Sequence, residues 1–349
     1  MLDKEKLENS IFSAISFYDA MNLPITPLEI YRNLAIHGGE KMEKSFASSL
    51  KELDFPDFLC FLEANEAIKQ KTVRKNGMYF LLRREKKEET DGSAVKSNFS
   101  WFCGFRQIKY RAAIKKWLIV RWMVMFFEAV PFVEAVFSSG SITRDNTTGK
   151  SDIDLLIVAE YGRIWTVRAF AIFAAKILCR YRSGEKVKDM FCLNHFISDK
   201  DLEIKHRGIY TAELYSKLVP VFYRDEDFLK DFRRKNEWIK EYLPLWSEPA
   251  PSTFRKFRSG IFFRPIRAVL EFLLSGFIGD WIENFFRALQ APKIAKGAGK
   301  IGGRIIFTEQ EIELHPDSPE RRIVDELNER MSELSLRELT SWQDSGLEK

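Results

Sequence analysis

The sequence predicts an α+β fold: a mixed sheet flanked by helices, with a small helical domain before it and a mainly helical region after it. Three observations carry this expectation. An Asn-Gly pair at 76–77 follows a helical N-terminal stretch, helix and strand signals alternate from about residue 100 to 222, and helical spacing dominates from about 226 onward. At 349 residues the chain exceeds the usual size of one core, so two or three domains are expected.

The first expected domain covers 1–84. LENSIFSAISFYDAMN has helical apolar spacing and stops before Pro24. Thr26-Pro27-Leu28-Glu29 places a capping Thr, a first-turn Pro and a Glu at the third helical position, the pattern that starts a second helix. EKSFASSLKELD reads as a third. IKQKTVR and MYFLLRR then flank Lys75-Asn76-Gly77, the strongest local signal for a hairpin. Three helices followed by a hairpin is the order of a winged helix, whose wing would carry Lys69, Lys71, Arg74 and Lys75. Such domains contact nucleic acid through a groove-reading helix and the wing, and many others only join proteins together.

Residues 85–99 are charged, lack apolar spacing and read as a linker. The second domain, 100–225, begins with a basic amphipathic helix at about 105–127. VEAVFSSG is then a strand ending at Gly140-Ser141, and DIDLLIVA is a second strand whose continuous apolar run suggests burial on both faces. A crossover helix at 163–180 leads to a third strand, MFCLNHFIS. The third region, 226–349, contains the helical RPIRAVLEFLLSGFIGDWIENFFRAL, a strand-like RIIFT and a terminal acidic helix around RIVDELNERMSEL.

The composition, 45% hydrophobic and 30% charged, suits a soluble globular protein, and the net charge is +5. Basic residues cluster: six against one acid from Trp101 to Val130, and seven against one from Arg163 to Lys188. From Glu309 to Lys349 twelve acids face five bases. A positive middle could meet polyanions, and solvated faces of amphipathic helices give the same pattern. Cys60, Cys103, Cys179 and Cys192 are too scattered for a metal-ligand pair or a secretory framework, so reduced core thiols in a cytoplasmic protein are expected. The polar start, MLDKEKLENS, has no signal-peptide core. WLIVRWMVMFF and IWTVRAFAIFAAKILC fall short of the roughly 20 residues that span a bilayer and read as buried helices, so no membrane partner is expected.

The chemistry concentrates in SGSITRDNTTGKSDIDLLIV, residues 139–158. Residues i and i+2 of a strand share a face about 7 Å apart, so Asp152 and Asp154 would present two carboxylates together at a strand mouth. Like charges so close call for a cation, and hard oxygen ligands suit Mg2+ (or Mn2+). Gly140 lets a backbone approach a phosphate, and Ser141 adds a hydroxyl and an N–H donor. A phosphate cradle beside a two-carboxylate metal site is the equipment of phosphoryl or nucleotidyl transfer.

Gly140-Ser141, a ten-residue spacer and Asp152-Ile153-Asp154 within LLIV resemble the signature of the DNA-polymerase-beta-like nucleotidyltransferase superfamily. Phe132-Val133, Gly162-Arg163-Ile164-Trp165, Phe191-Cys192-Leu193-Asn194 and Leu314-His315-Pro316 are similar to a poorly characterised prokaryotic group with a winged-helix-like N-terminal region. The resemblance implies a polymerase-beta-like mixed sheet, a nucleoside triphosphate (NTP) as substrate, and metal ligands at Asp152 and Asp154. It also implies a third carboxylate on a later strand. There the sequence departs: Asn194 stands where the acid is expected, and Asp189 substitutes only if the strand begins at the site. His195, next to Asn194, is expected on the opposite face, in the core. Arg144 and Lys150, between the Gly-Ser and the aspartates, are candidates to steady the triphosphate or plain loop residues. Arg163 is expected to pair with Asp152 or Asp154 when no metal is bound, Trp165 to be core, and His315-Pro316 to be structural.

The leading expectation is therefore a magnesium-dependent enzyme moving a nucleoside monophosphate from an NTP to a hydroxyl of a small molecule, RNA or protein. A non-catalytic nucleotide-binding regulator with a degenerate site, and a nucleic-acid-binding protein using the wing and basic stretches, are the alternatives.

Overall fold

The computed structural model describes residues 2–34, 43–82, 93–184, 186–246, 263–298, 304–315 and 318–334, with side chains from 106 onward in the long central helix and up to 296 in the later one. It is a mixed α+β structure with a mixed sheet.

Helix α1 (Lys4–Ala20) starts at Asp3, whose carboxylate accepts from the N–H groups of Glu5 and Lys6. Helix α2 (Pro27–Arg32) opens on the expected capping box, in which the Thr26 hydroxyl accepts from Glu29 N–H and the Glu29 carboxylate accepts from Thr26 N–H. Then come α3 (Lys44–Glu52), α4 (Phe55–Ala64) and α5 (Glu66–Lys71). Among the described residues five helices, not three, precede the hairpin. The extra starts are set by Asp54, which accepts from Asp57 N–H, and Asn65, which accepts from Ile68 N–H.

Strands β1 (Thr72–Lys75) and β2 (Met78–Leu81) pair around Asn76 and Gly77, both at positive φ, as a tight hairpin turn of that sequence requires. The IKQK half of the expected first strand is helix, because Ile68 is buried against the N-terminal core. Lys69 and Lys71 therefore sit on α5 and not on the wing. Lys69 pairs with Glu66, Lys71 donates to the Leu334 carbonyl, and Arg74 pairs with Glu63.

Helix α6 (Ser93–Phe127) begins within the stretch expected to be linker, of which 85–92 lie outside the described residues. Next are β3 (Val133–Ser139), β4 (Ile153–Ala159), α7 (Ile164–Ile177), β5 (Phe191–Ser198), α8 (Ile209–Ser216) and β6 (Val219–Tyr223). The chain continues through α9 (Glu226–Lys235), α10 (Ile239–Tyr242), α11 (Phe263–Leu273), α12 (Gly276–Ala298), β7 (Arg304–Phe307), β8 (Glu311–His315) and α13 (Glu320–Glu333). The six-stranded sheet has the order β6-β3-β4-β5-β8-β7, with β4 and β5 parallel and the other neighbours antiparallel. The pattern did not single out β6 or β8, and the β7–β8 hairpin carries the late region into this sheet.

Each sheet face supports its own core. Phe137, Leu156, Val158 and Ile197 pack with the N-terminal helices, α8 and α13. On the other face, Val136, Ile153, Leu155, Ile157 and Phe196 pack with α6, α7 and the buried Leu274 and Ile294 of the late helices. The two long apolar runs are buried on one side only. Trp117, Val120, Met123 and Phe127 are inside, whereas Trp122, Phe173 and Ile177 are exposed. Cys192 is buried, but Cys60 and Cys179 are exposed, against the expectation of core thiols, and the Cys103 side chain lies outside the described residues.

A buried carboxylate joins the two halves of the first core. Glu213 on α8, fully buried, accepts from Arg144 Nε at 2.7 Å, from Lys217 Nζ at 2.7 Å and from the Tyr18 hydroxyl of α1 at 2.9 Å. Burial disfavours its charge, but Arg144 and Lys217 outweigh this and hold the carboxyl down to about 2. A depressed carboxyl stabilises the fold fully above its unfolded value near 4.5 and loses that contribution as pH falls towards 2. Glu213→Gln leaves Arg144 buried without a counter-charge, so urea unfolding at neutral pH should show a loss of about 3–5 kcal/mol. The variant's stability should also fall less steeply than wild type on acidification, and an unchanged unfolding midpoint would refute the role given to this carboxylate.

Candidate functional site

The strand pattern at the mouth of β4 is the one the alternation demands. Asp154 pairs in register with Ser139 of β3 on one side and with Cys192 of β5 on the other. Ile153 and Leu155 turn to the α6–α7 side, so Asp152 and Asp154 share the opposite face with Leu156. Gly140, at φ +76°, opens a short helical turn, Gly140–Ile142, directly after β3. A Cβ there would overlap the Asp154 carboxylate, so a glycine is needed for both conformation and space.

These residues line a cleft of about 460 Å³, within the usual range for small-ligand sites. Its walls include Ser139, Gly140, Ser141, Arg144, Asn194 and His315, with Met21 and Ile323 contributed by the ends of the sequence. Asp154 is buried. Desolvation and the nearby Asp152 raise its carboxyl to about 7. Arg182 supplies the local positive charge. Its Nη1 donates to Asp152 Oδ2 at 2.6 Å and to Cys192 Sγ at 3.1 Å. Burial and then the negative charge of Asp154 push the Cys192 thiol up to about 12, so it remains neutral at physiological pH.

Ligand atoms of Asp152, Asp154 and Cys192 lie within 4.8 Å of one another, as do those of His195, Glu313 and His315. The first set fits a divalent cation: two carboxylates converge, and a guanidinium already occupies the position of the counter-charge. In the second set Glu313 is committed to Arg304 at 2.5 Å. Burial opposes its charge, yet His195 and Arg304 hold the carboxyl down to about 2. Burial also pushes His315 down to about 4, leaving its imidazole neutral.

The sequence-based candidates separate clearly. Asp152, Asp154, Gly140, Ser141, Arg144 and Asn194 meet in the cleft. Arg144 is tied to Glu213, however, so it positions the loop with its charge already compensated. Lys150 is exposed on the loop and does not line the cleft. Asp189 is also outside it: β5 begins at Phe191, and the Asp189 carboxylate accepts from buried Lys116 at 2.8 Å. Arg163 pairs with Asp280, and Arg182 takes the role expected of it. Trp165 is core.

Strict alternation failed at His195. Asp154 and Leu156 of β4 are matched by Cys192 and His195 of β5, so one extra residue is accommodated on β5. Leu193 and Phe196 both face the α6–α7 core, and Asn194 and His195 between them both reach the cleft. His195 Nδ1 contacts the Tyr215 hydroxyl at 2.7 Å, while its buried Nε2 has no hydrogen-bond partner. Asn194 Nδ2 is 3.0 Å from His315 Nδ1, which makes His315 part of the cleft wall, against the expectation of a purely structural residue; Pro316 lies outside the described residues. The residue beside Asp154 on the neighbouring strand is thus Cys192, not Asn194. Only the parity shared by 192 and 194 could have signalled it.

The chain matches no protein-family model, no curated protein and no solved structure.

Two outcomes follow from this geometry. Gly140→Ala should displace the Asp154 carboxylate and weaken Mn2+ binding by about tenfold or more, the equivalent of about 1.4 kcal/mol, in a titration monitored by calorimetry; unaltered affinity would contradict the close approach. Because a cation must displace the proton that Asp154 holds below about 7, divalent-ion affinity should rise as pH increases through that value and binding should release protons. Calorimetry in buffers of different ionisation enthalpy reads this directly.

Proposed function

We propose that the cleft binds an NTP together with Mg2+ or Mn2+ and transfers its nucleoside monophosphate to a hydroxyl acceptor, breaking the α–β phosphoanhydride bond and releasing pyrophosphate and the acceptor's proton. The observation that carries this reading is the placement of Asp152 and Asp154 on one face of β4, against the Gly140–Ser141 turn that ends β3. In this reading Asp152 and Asp154 hold the cation, the Gly140–Ser141 backbone and the Ser141 hydroxyl hold phosphate oxygens, and Arg144 keeps that loop in place through Glu213. Arg182, now beside Asp152, lines the same cleft and is the side-chain cation placed to pair with phosphate oxygens. The cation, when bound, neutralises phosphate charge and lowers the cost of forming the acceptor alkoxide. The polymerase-beta-like relationship and the winged-helix character of 1–84 belong to this proposal.

A second reading, a nucleotide-binding regulator without turnover, is favoured by Cys192. A neutral thiol beside Asp154 supplies neither the charge nor the proton acceptor of a third carboxylate. Nucleic-acid binding draws less support, because Lys69, Lys71 and Arg74, expected on the wing, are engaged within the chain.

Transfer of label from alpha-labelled NTPs into a lysate separated into RNA, protein and small-molecule fractions tests these readings. Wild type is expected to transfer label with Mg2+ or Mn2+, and Asp152→Asn with Asp154→Asn to lose it by about a hundredfold or more while remaining folded. Transfer that survives in the double variant would sink the enzyme reading; metal-dependent triphosphate binding without product would establish the regulator.

A further inference from the structure

Helices α11 and α12 form a hairpin that is anchored by polar side chains and carries apolar residues on its outer side as well as its inner one. Glu271, Glu283 and Gln290 face the sheet's helical layer, and Asp280 lies at its rim. Glu271 accepts from Phe132 N–H at 2.9 Å and from Arg224. Glu283 accepts from the N–H groups of Trp165 and Thr166 at 2.9 and 2.8 Å, satisfying the free donors that begin α7. Asp280 pairs with Arg163, and Gln290 binds the Trp165 carbonyl and Arg168. Leu274, Ile282, Phe286 and Ile294 pack inward, but a second set of large apolar side chains points outward: Phe272 is 79% exposed, Phe277 86%, Ile278 61%, Trp281 63% and Phe285 51%. Trp281 and Phe285 stack on each other at 5.9 Å. Trp122 of α6 and Phe173 of α7 extend the exposed apolar character of the same helical layer. Isolated exposed apolar residues are ordinary, but a whole helical face of them marks a contact surface.

The charge around this face selects its occupant. Among the described side chains of α6, α7, α11 and α12, three exposed Lys or Arg lie on α6, one on α7 and four on the hairpin, eight in all; Arg287 among them pairs with Glu309, and Arg264 is also engaged within the chain. The exposed acid is Asp280, already paired with Arg163. A second copy docked by the same face would bring like charges together. An anionic lipid surface complements them, and an aromatic face flanked by Lys and Arg is the pattern of a helix lying in the bilayer interface. Among the described residues no helix is long and apolar enough to cross a membrane, so the hairpin would lie on the surface.

We propose that the α11–α12 hairpin seats the protein on an anionic membrane surface, with Phe272, Phe277, Ile278 and Trp281 entering the interface. The expectation of no membrane partner rested on the lack of a spanning segment and did not address a surface-lying helix. The sheet separates this face from the cleft, so lipid contact leaves the cleft open.

The test is co-sedimentation of the full chain with phosphatidylcholine vesicles, with and without about one third phosphatidylglycerol, at low and high salt. Binding is expected to the anionic vesicles and to weaken with salt. A Phe272→Ser, Phe277→Ser, Trp281→Ser variant should lose about tenfold or more in partitioning while its melting temperature is unchanged, because all three side chains are exposed. Absence of binding to anionic vesicles at low salt overturns the proposal, as does equal binding by the variant. A concentration-dependent dimer of the wild type that the same substitutions dissolve would also overturn it by assigning the face to a second copy.

Discussion

The position of the cleft loop depends on the buried carboxylate of Glu213. A charge removed from water is tolerated only when several donors converge on it, and here the donors come from three separate segments: Tyr18 of α1, Arg144 of the loop after β3, and Lys217 just past α8. Because each donor must reach the same two oxygens, the loop carrying Gly140 and Ser141 is fixed relative to both the N-terminal helices and α8. Arg144 also lies over the Tyr210 ring, which closes the remaining side of its guanidinium. The N-terminal region is therefore more than an appended module: its first helix supplies part of the polar network behind the cleft.

A second electrostatic arrangement acts at the mouth of β4. Asp152 is paired with Arg182, while Asp154 lies deeper, next to a neutral thiol and a backbone without a side chain. The proton is held on the inner carboxylate, since burial and the neighbouring charge of Asp152 both disfavour its ionised form. This makes the inner carboxylate sensitive, at near-neutral pH, to any positive charge brought close to it. The same reasoning explains why Cys192 matters more than Asn194. Asn194 is drawn towards His315 on the neighbouring strand, whereas Cys192 lies in register with Asp154.

How much of this was legible depended on the range of the interaction. The Thr26–Glu29 capping box, the Asn76-Gly77 turn and the pairing of Asp152 with Asp154 are local, and each follows from spacing within a few residues. The displaced parity at Asn194 and His195 was not legible, because an extra residue in a strand is defined by its partner strand and leaves no mark on the alternating pattern. The same holds for Asp189 and Arg182, whose roles depend on Lys116 and Asp152, residues far away in sequence. Glu213 was hidden for another reason: α8 is buried on nearly every side and has no polar stripe against which a buried acid would stand out.

The late hairpin shows the limit of reading hydrophobic runs as core. RPIRAVLEFLLSGFIGDWIENFFRAL has the apolar content of a buried helix pair, and pattern alone assigns its aromatic side inward. The inward side is instead decided by what the sheet's helical layer offers: free N–H groups at the start of α7, the Phe132 N–H, and the cations Arg163, Arg168 and Arg224. Those groups need acceptors, and Glu271, Asp280, Glu283 and Gln290 supply them, each spaced to fall on one side of the hairpin. Once Glu271, Glu283 and Gln290 are turned inward, with Asp280 at the rim, helical geometry places Phe272, Phe277 and Trp281 outward. The exposed aromatic face is thus a consequence of satisfying buried donors, and the polar cleft and the apolar surface come to lie on opposite sides of one sheet.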